Sequence, residues 1–198
     1  MKKVLIILVA LIGFGMIMNA QNNMEEKGII IEGVRWATKN VDVSGVFVIS
    51  PEKYGEPYTW DEAQNACPTG WRLPTQEELQ SLIDAGGNRT KVEEVNGLVF
   101  GSENNAIFLP AAGLCGGNNE IAGQGNFCTY WSSTSGDDNS AWELFSFGSK
   151  NKMFGSKNKM KIHDSKRVKK NNTGTKYLFL FLDSRSVLRK NWVRCVAE

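Results

Sequence analysis

Cys67-Pro-Thr-Gly-Trp-Arg-Leu-Pro-Thr-Gln-Glu-Glu-Leu79, CPTGWRLPTQEEL, joins a turn, a tryptophan–arginine pair and a helix start within one short stretch. Pro74 fixes the chain ahead of the helix, Thr75 caps it, and Glu78 stands three residues on, where it can reach back to the cap. Leu79, Leu82 and Ile83 then fall on one face at helical spacing, and Gly86-Gly87 ends the run. The same device occurs just upstream. Thr59-Trp-Asp-Glu62 reads as a second capping box, with Ala63 and Ala66 leading into Cys67. Two short helices around a Cys-Pro-Thr-Gly turn are therefore predicted. Trp71 is expected to bury a large area, and Arg72 to bond backbone carbonyls or a helix carboxylate such as Glu78. This reading makes Trp71, Arg72, Pro74, Thr75 and Glu78 a fold-defining set.

The chain opens with Lys2 and Lys3, an apolar run from Val4 to Ile17, and a small-residue exit at Ala20. That order describes a secretory signal peptide over residues 1–20. The apolar run is shorter than the roughly 20 residues a membrane-spanning helix needs. The mature chain, 21–198, is long enough for one domain with its own core and has no transmembrane segment. Removing Lys2 and Lys3 leaves equal numbers of basic and acidic residues, so nothing overall points to nucleic acid. The expected location is exported: periplasmic, cell-surface or extracellular. Four cysteines in an exported chain suggest two disulfides, for which sequence allows three pairings. The favoured set is Cys67–Cys195 with Cys115–Cys128.

Outside the helices the chain reads as short strands and long loops, with 20 glycines and 6 tryptophans. Strands are expected at 28–32 and 34–41, in the apolar runs 98–100 and 107–109, and at 127–133, 141–147, 177–182 and 192–196. A glycine- and asparagine-rich loop at 113–126 holds Cys115. Phe147–Met153, FGSKNKM, is repeated without change as Phe154–Met160. Seven extra residues inside a paired strand would flip its facing, so the copy is expected in a hairpin tip or loop. It lies in a basic insert, about 148–176. Between Gly148 and Lys170 that insert carries Lys150, Lys152, Lys157, Lys159, Lys161, Lys166, Arg167, Lys169 and Lys170 against one acid, Asp164. The rest of the mature chain carries the compensating acidic excess.

Six ordered blocks carry a resemblance: Gly33–Val41, Tyr58–Ala63, Cys67–Leu79, Phe108–Gly113, Tyr130–Thr134 and Val193–Val196. Together they resemble the Fibrobacter succinogenes major paralogous domain, found in exported proteins of Bacteroidetes-type bacteria. The resemblance implies an α+β domain of the C-type lectin-like fold group, with two short helices packed on small antiparallel sheets and long structured loops. That group bonds a cysteine near its first helices to one on its last strand, in agreement with Cys67–Cys195. The tandem copy and the long basic segment depart from the family pattern.

The Trp-Arg-Leu-Pro-Thr block also resembles the helix start of formylglycine-generating oxidases. Those enzymes use a close pair of cysteines near the C-terminus, and Cys195 stands alone in its region. Related iron enzymes need several histidines, and this chain has only His163. No catalytic residue, metal or cofactor is therefore expected. Two candidate binding features remain. Asp137-Asp138-Asn139, beside Trp131 and Trp142, offers oxygens and rings suited to a sugar, although the Glu-Pro-Asn and Gln-Pro-Asp triplets of calcium-dependent lectins are absent. A polar turn flanked by core tryptophans is the simpler reading and the favoured one. The basic set Lys150, Lys152, Lys157, Lys159, Lys166 and Arg167 suits an acidic polysaccharide or another anionic surface; a solvated loop is the plain alternative. The expected function is a non-enzymatic binding or display domain that contacts glycan or another cell-surface component. The alternatives are a structural part of the cell envelope with envelope-protein partners, and a formylglycine-type oxidase.

Overall fold

The structure, a computed structural model, describes residues 26–102, 104–137, 139–149, 166–168 and 177–198. The expected leader, Asp138, and Lys150, Lys152, Lys157 and Lys159 lie outside the described residues. So does most of the tandem copy, of which only Phe147, Gly148 and Ser149 are described.

Among the described residues, both capping boxes form. Helix α1 is Trp60–Ala63 with Thr59 as its cap, and α2 is Gln76–Ala85 with Thr75 as its cap. At α2 the Glu78 amide donates to Thr75 Oγ1 (3.3 Å), and the Thr75 amide donates to Glu78 Oε2 (2.8 Å). Arg72 grips the same carboxylate with both guanidinium nitrogens, at 2.8 and 2.6 Å, and donates to Leu73 O at 3.2 Å. The Arg72 guanidinium and the Thr75 amide together hold the Glu78 carboxyl below its usual range. Gly86 ends α2 at φ 84°, where a side chain would be strained. Thr75→Ala is expected to cost about 1 kcal/mol of stability in urea denaturation, because the cap bond is lost while the helix face stays packed.

The expected α+β, C-type lectin-like class does not hold: among the described residues the structure is mostly β, and the two short helices form no layer of their own. One sheet has the order β1-β2-β13-β3, from β1 (Ile29–Ile31), β2 (Val34–Asn40), β3 (Trp71–Arg72) and β13 (Arg194–Ala197). A second is a meander of β4 (Gly87–Val92), β5 (Val95–Ser102) and β6 (Asn105–Pro110). β7 (Leu114–Cys115) and β8 (Ile121–Ala122) make a small ribbon inside the expected loop. The last sheet has the order β11-β12-β10-β9, from β9 (Phe127–Ser135), β10 (Ser140–Ser149), β11 (Lys166–Val168) and β12 (Tyr177–Ser186). Every paired strand is antiparallel.

The class departs from expectation where strand pairing overrides composition. β4 reads Gly-Asn-Arg-Thr-Lys-Val, with little apolar alternation. It joins β5 through Glu93 and Glu94, both at positive φ (44° and 66°), so the tight turn lacks the usual Asn-Gly signal. β12 likewise runs past the apolar Tyr177–Leu182 to Ser186, because each residue finds a partner on β10, from Ser149↔Tyr177 to Ser140↔Ser186.

The first sheet is a wall between two cores. Period-two facing sends Trp36 and Val196 into one, with Leu79, Leu82, Ile83, Leu98, Phe100 and Tyr130. It sends Ala37 and Cys195 into the other, with Phe47, Ala63, Leu73, Trp131 and Val193. Cys67 and Cys195 are bonded across the second core, Cα atoms 6.0 Å apart. Trp71 is half-buried there, edge-on to Phe47 at 5.7 Å.

The expected Cys115–Cys128 disulfide is absent, and both residues are free, buried thiols. Their sulfurs are turned to different partners. Cys115 Sγ lies 3.6 Å from Gly116 O, whereas Cys128 Sγ lies 3.8 Å from Leu109 O on β6. Burial pushes the Cys128 thiol up to about 11 and raises that of Cys115.

Candidate functional site

The opening motif is consumed by the fold. Arg72, Thr75 and Glu78 bond one another, and Cys67 is tied to Cys195. The sequence-predicted sugar residues separate. Trp131 is fully buried, and its indole N–H donates to Tyr58 O at 2.9 Å, so it presents no ring face to a ligand. Trp142 is half-buried and borders a groove of about 400 Å³ with Ser135, Asp137, Leu182 and Ser184. Asn139 is exposed at φ 58°, and its carbonyl is held by the Val187 amide at 3.1 Å. Trp142 and Asp137 therefore meet, whereas Trp131 lies elsewhere. Of the basic set, Lys166 and Arg167 lie on β11, paired with Leu180 and Phe179 of β12.

A second concavity, of about 460 Å³, has a more pronounced chemistry. Phe145 of β10, Arg185 of β12 and Arg189 line it with Cys115, Asn118 and Glu120. β10 and β12 fix the first two by register, since Phe145 faces Phe181 and Arg185 faces Ala141. A turn at 187–188, with the Arg189 amide bonded to Ser186 O at 3.1 Å, brings the second arginine round. The β7–β8 ribbon supplies Cys115, and the loop joining its strands supplies Asn118 and Glu120.

Arg185 is held from behind. Its guanidinium carbon lies 5.8 Å from the Phe145 ring centre, within cation–π range. Its Nη2 pairs with Asp183 Oδ2 at 2.5 Å, and its Nε lies 3.6 Å from Glu143 Oε1. Glu143 is fully buried and sits directly across the strands from Asp183. Asn191 Nδ2 donates to Glu143 Oε2, while Oε1 accepts no hydrogen bond. Burial pushes Glu143 up to about 7, against the opposing pull of Arg189, Asn191 and Arg185.

Sequence reasoning passes over Arg185, Arg189 and Glu143 because no motif marks them. One signal is present. Glu143 interrupts Ala-Trp-Glu-Leu-Phe within a predicted strand, and a carboxylate among core positions requires a cationic or amide partner.

This geometry describes a disulfide-closed, mostly β domain with a cation-lined pocket beside the paired strands β10 and β12. The chain belongs to the Lcl C-terminal domain family, whose family model matches residues 31–164. The match covers Phe145 and Glu143 and ends before Arg185 and Arg189. No curated protein and no solved structure matches the chain. Among the described residues no helix is long and apolar enough to cross a membrane.

Proposed function

We propose that this protein is an exported, non-enzymatic binding domain whose pocket at Arg185 and Arg189 takes an acidic glycan, one bearing sulfate or carboxylate groups. The pairing of two guanidinium side chains with the Phe145 ring in one concavity carries the reading. Guanidinium forks match planar and tetrahedral oxyanions, and the buried Phe145 ring beneath Arg185 holds one fork in place. The strands that present the pocket also bracket the basic insert: β10 leads into it and β12 follows it. A polyanion seated on Arg185 and Arg189 thus lies beside strands that are continuous in sequence with a run of lysines. Export rests on the leader-like first twenty residues, and the ordered blocks shared with the Fibrobacter succinogenes major paralogous domain fit an exported display role.

Cysteine chemistry of the formylglycine type is disfavoured on physical grounds. The Cys195 sulfur is held in a disulfide, and burial raises the thiols of Cys115 and Cys128, which suppresses the reactive thiolate.

The test is calorimetric titration with sulfated and uronic-acid oligosaccharides at low and moderate salt. Binding is expected to weaken steeply with salt. Arg185→Ala with Arg189→Ala is expected to weaken it by about 100-fold, from two lost charged hydrogen-bonding groups. Absence of binding to either class of oligosaccharide at low salt would falsify this reading.

A further inference from the structure

Glu143 is not needed to make an anion pocket, and its place behind Arg185 is costly. A fully buried carboxylate is matched in register with a second one, Asp183, on the neighbouring strand, and like charges directly opposite destabilise a sheet. A single guanidinium, Arg185, lies against both. Among the described residues, the groups set against Glu143 come from several elements. β12 gives Asp183 and Arg185, the turn after it gives Arg189, the final segment gives Asn191, and β9 places Trp131 directly opposite. Glu120 lines the pocket from the β7–β8 loop.

With Glu143 ionised, the charges of Glu143, Asp183, Arg185 and Arg189 cancel. With Glu143 protonated, the same group carries one net positive charge next to the pocket. An anion entering beside Arg185 favours the second state, and by reciprocity the second state favours the anion.

Resting on the binding reading above, we propose that Glu143 is a proton-operated positioning residue. Its carboxylate gains proton occupancy from solvent as an anion engages Arg185 and Arg189, so the pocket binds anions more tightly as the medium turns acid. The group is poised for this role, because burial pushes it up to about 7. The folded value is raised above the ordinary carboxylate range, so Glu143 is already neutral well below 7. It ionises as pH rises through 7, and anion affinity falls over that interval.

The experiment is calorimetric titration of the full mature chain with a sulfate-ester oligosaccharide, which stays ionised throughout, from pH 5.5 to 8.5 at constant ionic strength. Two buffers of different ionisation enthalpy report proton uptake. Affinity is expected to be about tenfold higher at the acid end, which corresponds to a tenfold gain in the affinity of Glu143 for its proton when the anion is bound. Uptake of a fraction of a proton is expected near pH 7. Glu143→Gln removes a buried charge and keeps the shape, so it is expected to fold, bind at every pH, and lose both the pH dependence and the proton uptake. His163→Gln, at the single histidine of the sequence, is expected to keep both. Should Glu143→Gln fail to fold, Asp183→Asn serves instead. Burial is the main cause that raises Glu143, and removing the Asp183 charge that adds to it is expected to move the transition to lower pH. Binding with a flat pH profile, a dependence that survives Glu143→Gln or vanishes in His163→Gln, or an unmoved transition in Asp183→Asn overturns the role of Glu143 and leaves the binding site standing. No binding at any pH removes the site itself.

Discussion

Arg194→Met is expected to destabilise the protein by about 3–5 kcal/mol, a large share of what holds a single domain together. Arg194 is almost fully buried in β13, where it donates to Asn40 Oδ1 (3.0 Å), Ala37 O (3.0 Å) and Phe108 O (2.9 Å). It thereby ties the last strand to β2 and to β6 of a different sheet. Asn40 passes the connection on to Tyr54 O at 2.8 Å and to the Tyr130 hydroxyl at 3.2 Å, and that hydroxyl donates to Pro110 O at 2.9 Å. Methionine fills much of the same volume and donates nothing, so three buried acceptors lose their partner. Burial lowers Arg194 to about 10, which leaves it charged at neutral pH. Lysine in its place keeps the charge and loses the fork, and is expected to recover only part of the loss. Urea denaturation of the two variants measures both effects. A loss below about 1 kcal/mol for methionine would show that the three carbonyl-side contacts contribute little beyond what water supplies.

The Cys67→Ser, Cys195→Ser double variant is expected to lose about 5 kcal/mol in the loop-entropy picture, because the bond closes a separation of 128 residues. The loss arises mainly in the unfolded chain, so the native contacts of the second core are expected to persist at low denaturant while the midpoint falls. Alkylation of the unreduced, denatured wild-type chain is expected to label Cys115 and Cys128 and to spare Cys67 and Cys195. Labelling of Cys195 would remove both the covalent closure and the argument against a cysteine oxidase.

Much of the local structure is legible in the sequence. Both capping boxes and the grip of Arg72 on Glu78 follow from residues only a few positions apart, and the Cys67–Cys195 bond is the favoured choice among three pairings. The fold class is not legible. The polar β4 and the glycine-free Glu93-Glu94 turn carry no strand signal of their own, and they become strand and turn because β5 supplies partners. The candidate site is legible in fragments. Trp142 and Asp137 do meet, but Trp131, one strand over, faces the second core, and periodicity within a single strand cannot say which of two cores a buried face belongs to. Cys115 and Cys128 look like partners because they flank one loop, yet each side chain follows the facing of its own strand.

The sequence by itself determined where helices begin and end and which tryptophan–arginine turn braces them. These are outcomes of bonds made within a few residues, whose geometry the chain fixes locally. Only the tertiary structure decided that Glu143 meets Arg185, 42 positions away across a ten-residue register, and that Arg189 and Phe145 complete a pocket with it. That choice depends on strand order and register, which are set by burying two apolar faces at once rather than by any residue's own preference.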